Sequence, residues 1–495
     1  MANRPAGQEA VLKHFDEELV SGHILRSVWK LAWPIVILQV INGSNQLVSH
    51  ALVGAYVPSE ENAANAAIGI SWMYFLVMVV FVSSFLQGMN VLIARFSGKQ
   101  DRDSIGRVVF QTCLSAMGLH VLVMAPLGYF LTPALLEFAH ADPAVREFAQ
   151  PYMRFLFTCS APMFLNFLLH NAFQSAGEPR TAMWLGVLST ILNFALMVVL
   201  ITGPGPIPSF GVMGAAVGIC VGPIPTVCIG FFLILSGKSV IRLPKTKSIV
   251  PEWPIVREIL RIGLPTGIQS VMLNIGGAFL IRYIGEFGAS AQAAYTICYM
   301  QLFSLVTWVS FGVRGATATL MGQNIGAGKI ERGKMAVYVA AGLGLLWAGF
   351  FGAIYFTVPH QLLSMFSATE EPLLTYGTSL LGVLAFSGFF VSSALAFTGG
   401  MQGGGDTVTP MVIAVLSQIV ILLGLCQLFT QLDMLTLDLI WKCILVSHIS
   451  RFVMSIGAFQ WGRWRRVSVR TDYNDDGASD RIPADAEPDP SPATK

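Results

Sequence analysis

The sequence predicts an all-α polytopic membrane protein, with twelve transmembrane helices in two six-helix lobes related by a parallel internal repeat. Three observations predict it. Apolar residues make up 54% of the 495 and charged residues only 12%, against about 25% charged in an average soluble domain. Apolar runs long enough for spans of about 20 residues recur with short polar breaks. The second half of the chain also repeats the first at an offset of about 230 residues. This composition excludes soluble enzymes, nucleic-acid binders and secreted disulfide scaffolds. The seven cysteines lie in apolar runs without a CxxC pair, and no His cluster has metal-ligand spacing.

The spans are expected at 31–56, 66–94, 108–131, 152–174, 183–203, 211–235, 260–282, 291–316, 335–357, 376–400, 410–430 and 438–461. In lipid every backbone polar group must be paired within the element. Runs this long do that as helices, whereas a barrel would show short alternating strands. Residues 1–26 are polar, lack an apolar leader core and read as a cytoplasmic N-terminus. The first lobe is 27–235. The linker 236–256 is basic and carries Pro244, Pro251 and Pro254, and the second lobe is 257–461. The tail 462–495, rich in Asp, Pro and Ala after Arg470, reads as disordered.

Orientation follows from the basic residues. The N-terminus, the loops after even-numbered spans and the C-terminal segment hold 24 of the 30 Lys and Arg, and the opposite face holds four. This imbalance puts both termini in the cytoplasm and implies a plasma (inner) membrane location. Two arginines, Arg314 and Arg451, fall within spans, with Arg314 near the inner end of its span.

The repeat is carried by short motifs. FQSAGEPRTAM (173–183) matches MQGGGDTVTPM (401–411). LIARFSGKQDR (92–102) matches LMGQNIGAGKI (320–330), which aligns Gly98 with Gly326. RSVWKLAWP ends at Pro34 as REILRIGLP ends at Pro265. Six spans return the chain to its starting side, so the two copies run parallel. Transporters built this way bind substrate near the midplane.

At these motifs, together with LVSHALVG (47–54), GVMGAAVG (211–218) and ATLMGQNIGAGK (318–329), the chain resembles the MATE (multidrug and toxic compound extrusion) family over roughly residues 26–461. The resemblance implies two lobes around a cavity that opens to alternating sides and cation-coupled export of drugs or metabolites. It also implies embedded carboxylates, which are missing here. The family's helix-1 Asp position holds Ser49, next to His50. The helix-5 Asn/Asp pair is Asn193 and Met197. The helix-7 Glu position is Leu273, beside Asn274, and the helix-10 Asp position is Val391. All 28 acidic residues fall in expected loops or tails.

The polar residues left in the spans are the candidate cavity lining. Span 1 offers Asn45, Ser49 and His50, span 4 Asn166 and His170, and span 5 Asn193. Span 7 offers Gln269 and Asn274, and span 8 Tyr295, Tyr299 and Arg314. Such faces either line a cavity or hydrogen-bond between helices. The span histidines His50, His120, His170 and His448 titrate near neutral pH, so one could carry protons in place of a carboxylate, and His50 is the first choice. An arginine on the path would favour anionic or zwitterionic substrates. Ser447, Arg451 and Ser455 form a polar stripe. SAGE (175–178) and GGGD (403–406) read as tight turns. GAGK (326–329) is not a phosphate loop, because Gln323 and Ile330 break that pattern. Pro223 and Pro225 should kink span 6.

The expected function is secondary active efflux of a small molecule by alternating access. The expected cycle is proton-coupled, with Na⁺ the less suited ion, and uses no ATP and no cofactor. The expected protein is a monomer in the bilayer with no nucleic-acid partner and no enzymatic activity. A lipid-linked or metabolite flippase of the same superfamily, or a transporter-derived sensor without coupled flux, are the open alternatives.

Overall fold

In the computed structural model the chain has no strand among the described residues, which are 15–56, 61–203, 208–243, 250–366 and 371–470. Side chains are described at these positions except 42, 44–56, 61, 62, 64 and 65. A short helix α1 (Glu18–Ser21) leads into α2 (Ile24–Tyr56), α3 (Glu61–Gly98), α4 (Arg102–Phe138), α5 (Pro143–Cys159) and α6 (Ala161–Ser175). Then come α7 (Pro179–Thr202), α8 (Val212–Val221) and α9 (Ile224–Leu235). Past the linker lie α10 (Trp253–Gly285), α11 (Ala289–Gly326), α12 (Ile330–Thr357), α13 (Pro359–Ser364), α14 (Leu373–Gly403), α15 (Val408–Gln431) and α16 (Leu437–Trp461).

Among the described residues eleven stretches are long and apolar enough to cross a bilayer, with α8 and α9 counted as one. The pair α5 and α6, bent by 48°, forms the twelfth. The breaks have identifiable causes. Pro162 and Pro223 have no N–H to continue a helical ladder, so one span bends at Ser160 and another breaks at Gly222–Pro223. The second break is where the sequence predicts a kink. α4, α11 and α15 each contain a π-helical stretch, at His120–Met124, Thr296–Leu302 and Leu416–Ile421. Such stretches widen a helix locally and often occur at functional sites.

The chain forms two compact units. One comprises Phe15, the described parts of 33–93 and 101–271, and the other 16–32, 94–100 and the described residues from 272 onward. In the first unit Phe75 stacks on Phe164 with ring centroids 5.8 Å apart, within a core that includes Phe157, Met197 and Cys220. In this unit α3 and α10 cross through glycines. A Cβ on Gly88 would lie 2.0 Å from the Ile259 carbonyl oxygen, and one on Gly263 would lie 1.7 Å from that of Ser84. Small residues allow this approach in lipid, where backbone packing replaces the hydrophobic effect as the driving force.

In the second unit α14 is the central helix, packed by α11, α12 and α16. Its Gly399 and Gly403, one turn apart, face the carbonyl oxygens of Arg314 and Ala318, at 2.3 and 2.2 Å from where a Cβ would stand. The repeat symmetry is visible in a reciprocal contact. Gly98 faces the carbonyl oxygen of Gln323, and its counterpart Gly326 faces that of Arg95. The N-terminal segment is pinned here too. Lys30 pairs with Glu18 at 2.9 Å, and the Arg332 guanidinium donates to Ser27 Oγ at 3.2 Å. The hydrogen bond from Lys30 holds the Glu18 carboxyl below its usual range.

The glycine-rich motifs are helix ends. Gly177 and Gly405 share φ 91° at matching places in the two copies, and Gly328 has φ 74°. In each case the next N–H bonds back across the turn: Glu178 to Phe173 O at 2.8 Å, Asp406 to Met401 O at 3.0 Å and Lys329 to Asn324 O at 2.7 Å. This is the Schellman closure of a helix C-terminus. Gln100, at the position corresponding to Gly328, takes the same left-handed conformation with φ 60°.

Several polar residues expected in loops lie within helices, Asp103 and Glu331 in first turns among them. Arg95, expected in a loop, is buried in the last turn of α3 and donates to the Gly404 carbonyl at 2.9 Å. Arg102 is also buried, with its guanidinium 5.4 Å over the Phe15 ring. Glu258, expected in a loop, lies inside α10, because that helix starts at Trp253. It is buried and pairs with Arg261 at 3.3 Å. Glu147, also expected in a loop, lies in α5.

The α14–α11 contact predicts that Gly403→Ala overpacks the second unit and costs about 1–3 kcal/mol. Gly382→Ala on the same helix, with open space at its Cβ, should cost nothing. Thermal midpoints of the two purified variants check this, and equal midpoints would contradict it.

Candidate functional site

Each unit gathers its own set of polar side chains within the spans. In the first, Asn166 on α6 is the junction of three helices. Its Nδ2 donates to Ser189 Oγ on α7 at 3.1 Å, and its Oδ1 accepts from Thr226 Oγ1 on α9 at 3.1 Å. Thr226 Oγ1 also reaches the Pro223 carbonyl at 2.7 Å, which accepts the Val227 N–H as well, at 3.0 Å. His170, one turn along α6, is buried beside Gly186, and its Nε2 has no partner among the described residues. Asn193, one turn beyond Ser189, is buried where its backbone meets Gly222. Its Oδ1 is also unpartnered among the described residues. A buried polar atom without a partner costs about 1–3 kcal/mol. A ligand, proton or water that meets His170 Nε2 or Asn193 Oδ1 therefore removes that cost.

A second network at the α3–α6 contact links Asn90 to Asn171 at 3.1 Å and Ser175 to Asn90 at 3.0 Å. Gln269 is buried on α10, with its Oε1 unpartnered among the described residues. Asn274, further along the same helix, is exposed. The backbone of α2 carries Asn45, Ser49 and His50, but their side chains lie outside the described residues.

In the second unit α11 and α16 carry an aromatic ladder. Trp441 stacks on Tyr295 at 6.3 Å, Tyr295 on Tyr299 at 5.0 Å and Tyr299 on His448 at 6.3 Å, with Phe303 6.1 Å from His448. The Tyr299 hydroxyl lies 3.5 Å from His448 Nε2. The π-helical stretch of α11 contains Tyr299. The π-helical stretch of α15 presents Gln418, which donates to Ser447 Oγ at 3.3 Å.

Arg314 does not sit near the end of its helix. α11 continues to Gly326, which leaves twelve further residues, about 18 Å of helix. Its guanidinium lies 5.1 Å over the Phe311 ring.

The structure thus joins Asn166 with the Ser189–Asn193 face and the neighbouring His170, and it brings Tyr295 and Tyr299 together. Sequence reasoning missed Asn90, Ser189, Thr226 and Trp441. Spacing could have found two of them. Ser189 precedes Asn193 by four residues, and Trp441 precedes His448 by seven, so each pair shares a helical face.

The Asn166 junction predicts that Asn166→Leu, which removes both cross-helix bonds, destabilises the protein by about 1–3 kcal/mol. Thr226→Val should cost less, because Ser189 keeps its bond. Thermal unfolding in detergent compares them, and the junction is not structural if the Leu variant melts with the unmodified protein.

Comparison with known proteins fits this architecture. The family model described as MatE matches residues 34–199 and again 265–427. The two matches start on Pro34 and Pro265, the prolines that align the repeat. The chain is 25% identical to "Probable multidrug resistance protein NorM" of Thermotoga maritima over 455 residues, covering 90% of this chain and 95% of that protein. It is 25% identical to "Probable multidrug resistance protein YoeA" of Bacillus subtilis over 395 residues, 79% and 84% of the two chains. A solved structure described as the outward-facing conformation of a multidrug resistance MATE family transporter of the MOP superfamily superposes with a TM-score of 0.80. The sequence identity is 21%, covering 90% of this chain and 97% of the other. Matched by the family model twice, over about two thirds of its length, this chain belongs to the MatE family.

Proposed function

We propose that this protein is a secondary exporter of small organic molecules that works by alternating access and is driven by protons. The observation that carries the reading is the double family match over a duplicated twelve-span chain, in register with the repeat. The names of the relatives, as multidrug resistance proteins, favour export over uptake. The excess of basic residues on one face favours cytoplasmic termini in a plasma (inner) membrane.

Proton coupling is favoured over Na⁺ by the donor set. A sodium site is best built from several oxygens including a charged one, and the mid-spans offer no carboxylate. Histidine binds a proton at an imidazole nitrogen and so takes up charge without any other ligand. His50 holds the place beside the family's missing Asp, and His170 has an Nε2 without a partner among the described residues. A proton can drive the cycle only if it binds one state of the protein better than the other. An imidazole that is buried and unpartnered in one state and wet in the other meets that requirement. Substrate taken from the inner side would leave on the outer side as the proton enters. The cycle needs no ATP and no cofactor, and a single chain contains both repeats.

The test is efflux of ethidium, a cation, and carboxyfluorescein, an anion, from proteoliposomes under separate pH and Na⁺ gradients. An inward proton gradient should accelerate efflux of at least one dye, and a Na⁺ gradient should not. Efflux that persists unchanged after both gradients are collapsed would sink antiport. His50→Gln and His170→Gln test the carriers, and at least one should slow proton-driven efflux several-fold and flatten its pH profile.

A further inference from the structure

Arg154 of the first unit lies inside a span. It is the twelfth of the 17 residues of α5, and about 16 Å of helix separates it from Pro143, where α5 starts. Tyr129 faces it from α4, nine residues before Phe138, where α4 ends, or about 13 Å of helix. The loop 139–142 joins these two helix ends, so both residues lie two to three turns below one loop. The Arg154 guanidinium carbon is 4.6 Å from the centroid of the Tyr129 ring.

The surface around this pair is a membrane-facing wall. On α4, Leu127 and Phe130 are 55% and 75% exposed. On α5, Pro151 and Thr158 are exposed, and Arg154 is half-buried in the seam between the two helices. Its backbone carbonyl accepts from Thr158 Oγ1 at 2.8 Å. Its guanidinium makes no ion pair or hydrogen bond among the described residues, and its Nε is closed off from solvent without an acceptor there. The acids of this hairpin stand closer to the loop. Asp142 caps α5 by accepting the Ala144 N–H at 2.9 Å, and Glu137 and Glu147 are exposed.

A guanidinium does not lose its proton to relieve burial. One inside a span is expensive unless it meets water, a carbonyl or an anion. The Tyr129 ring offsets part of that cost through its π face, but it offers no lone pair. The guanidinium's N–H donors lie in its own plane, so they need an acceptor from outside the chain. On a wall covered by acyl chains, the acceptors at hand are lipid phosphate and ester oxygens, which a long arginine reaches by extending toward the interface. Its planar fork binds a phosphate through two parallel hydrogen bonds. An anionic headgroup also balances the charge, whereas a choline headgroup brings a cation of its own.

We propose that the membrane-facing seam between α4 and α5 binds an anionic phospholipid from the leaflet next to the 139–142 loop, with Arg154 on the headgroup phosphate and the Tyr129 ring behind the guanidinium. The site belongs to the first unit alone and does not depend on what the protein transports.

The test counts adducts on the full chain in detergent by native mass spectrometry. The probes are dioleoyl phosphatidylglycerol, dioleoyl phosphatidylcholine and glycerol 3-phosphate. The first phosphatidylglycerol should bind at least about tenfold tighter than the first phosphatidylcholine, the scale of one charge-assisted hydrogen bond. Arg154→Gln should remove about that factor and change phosphatidylcholine binding less. Arg154→Lys, which keeps the charge and loses the fork, should fall between. Arg282→Gln, at an exposed arginine in the last turn of α10, should change nothing. Equal affinity for the two lipids overturns the site whether or not the variants fold, and so does an Arg154→Gln variant that folds and keeps full selectivity. An Arg282→Gln variant that loses as much as Arg154→Gln reduces the effect to a general attraction of basic residues for anionic lipid and overturns it too. Glycerol 3-phosphate that binds as tightly as phosphatidylglycerol gives the seam to soluble phosphates and overturns the lipid assignment.

Discussion

Hydrocarbon leaves a charged side chain three choices: pair, neutralise, or reach water. The chain's polar residues sort along those lines. Its described buried acids pair or cap at helix ends. Glu258 meets Arg261 close to the start of α10, and Asp406 accepts from the N–H and hydroxyl of Thr409 at 3.0 and 2.6 Å where α15 begins. Glu178, at the place corresponding to Asp406, accepts from Ser239 Oγ and the Val240 N–H, both at 2.8 Å, and so ties the linker to the α6–α7 turn. Deeper in the spans many of the polar groups are neutral amides, hydroxyls and imidazoles, and the hydroxyls bond mostly to a backbone carbonyl one turn back in their own helix. Arg314 and Arg451, the two mid-span arginines of the second unit, have no ion pair among the described residues.

The two copies of the repeat have kept the backbone and exchanged the chemistry. Gly177 and Gly405 close the same turn with the same φ, and Gly98 and Gly326 make the same close approach on opposite partners. Such positions admit little else, because any Cβ there would collide with a carbonyl or force a strained backbone. Elsewhere the copies diverge. The first contributes Asn166, His170 and Asn193, two amides and an imidazole. The second contributes Tyr299, His448, Arg314 and Arg451, with a positive balance.

Much of this was legible in the sequence. Span count, the repeat and the turn motifs follow from apolar run length and from glycine and proline placement, which are local signals. Depth was less legible. Arg314 read as near a helix end, and Arg95 as a loop residue, because hydropathy fades at the polar last turns of α11 and α3 while the helices run on. Asn166 was found by its polarity, but not its partners Ser189 and Thr226. A lone hydroxyl in a span gives no signal until another helix is placed against it. The aromatic ladder was half visible: Tyr295 and Tyr299 stand four residues apart, whereas Trp441 joins them only when α16 packs beside α11.

The central claim is that this member of the MatE family works without a carboxylate in the middle of its membrane spans. Dicyclohexylcarbodiimide, which modifies protonated carboxyl groups buried in membranes, addresses that claim directly. The account predicts that proteoliposomes treated with it keep their full efflux rate, with no adduct on any spanning peptide. Loss of efflux together with an adduct inside a span would contradict it.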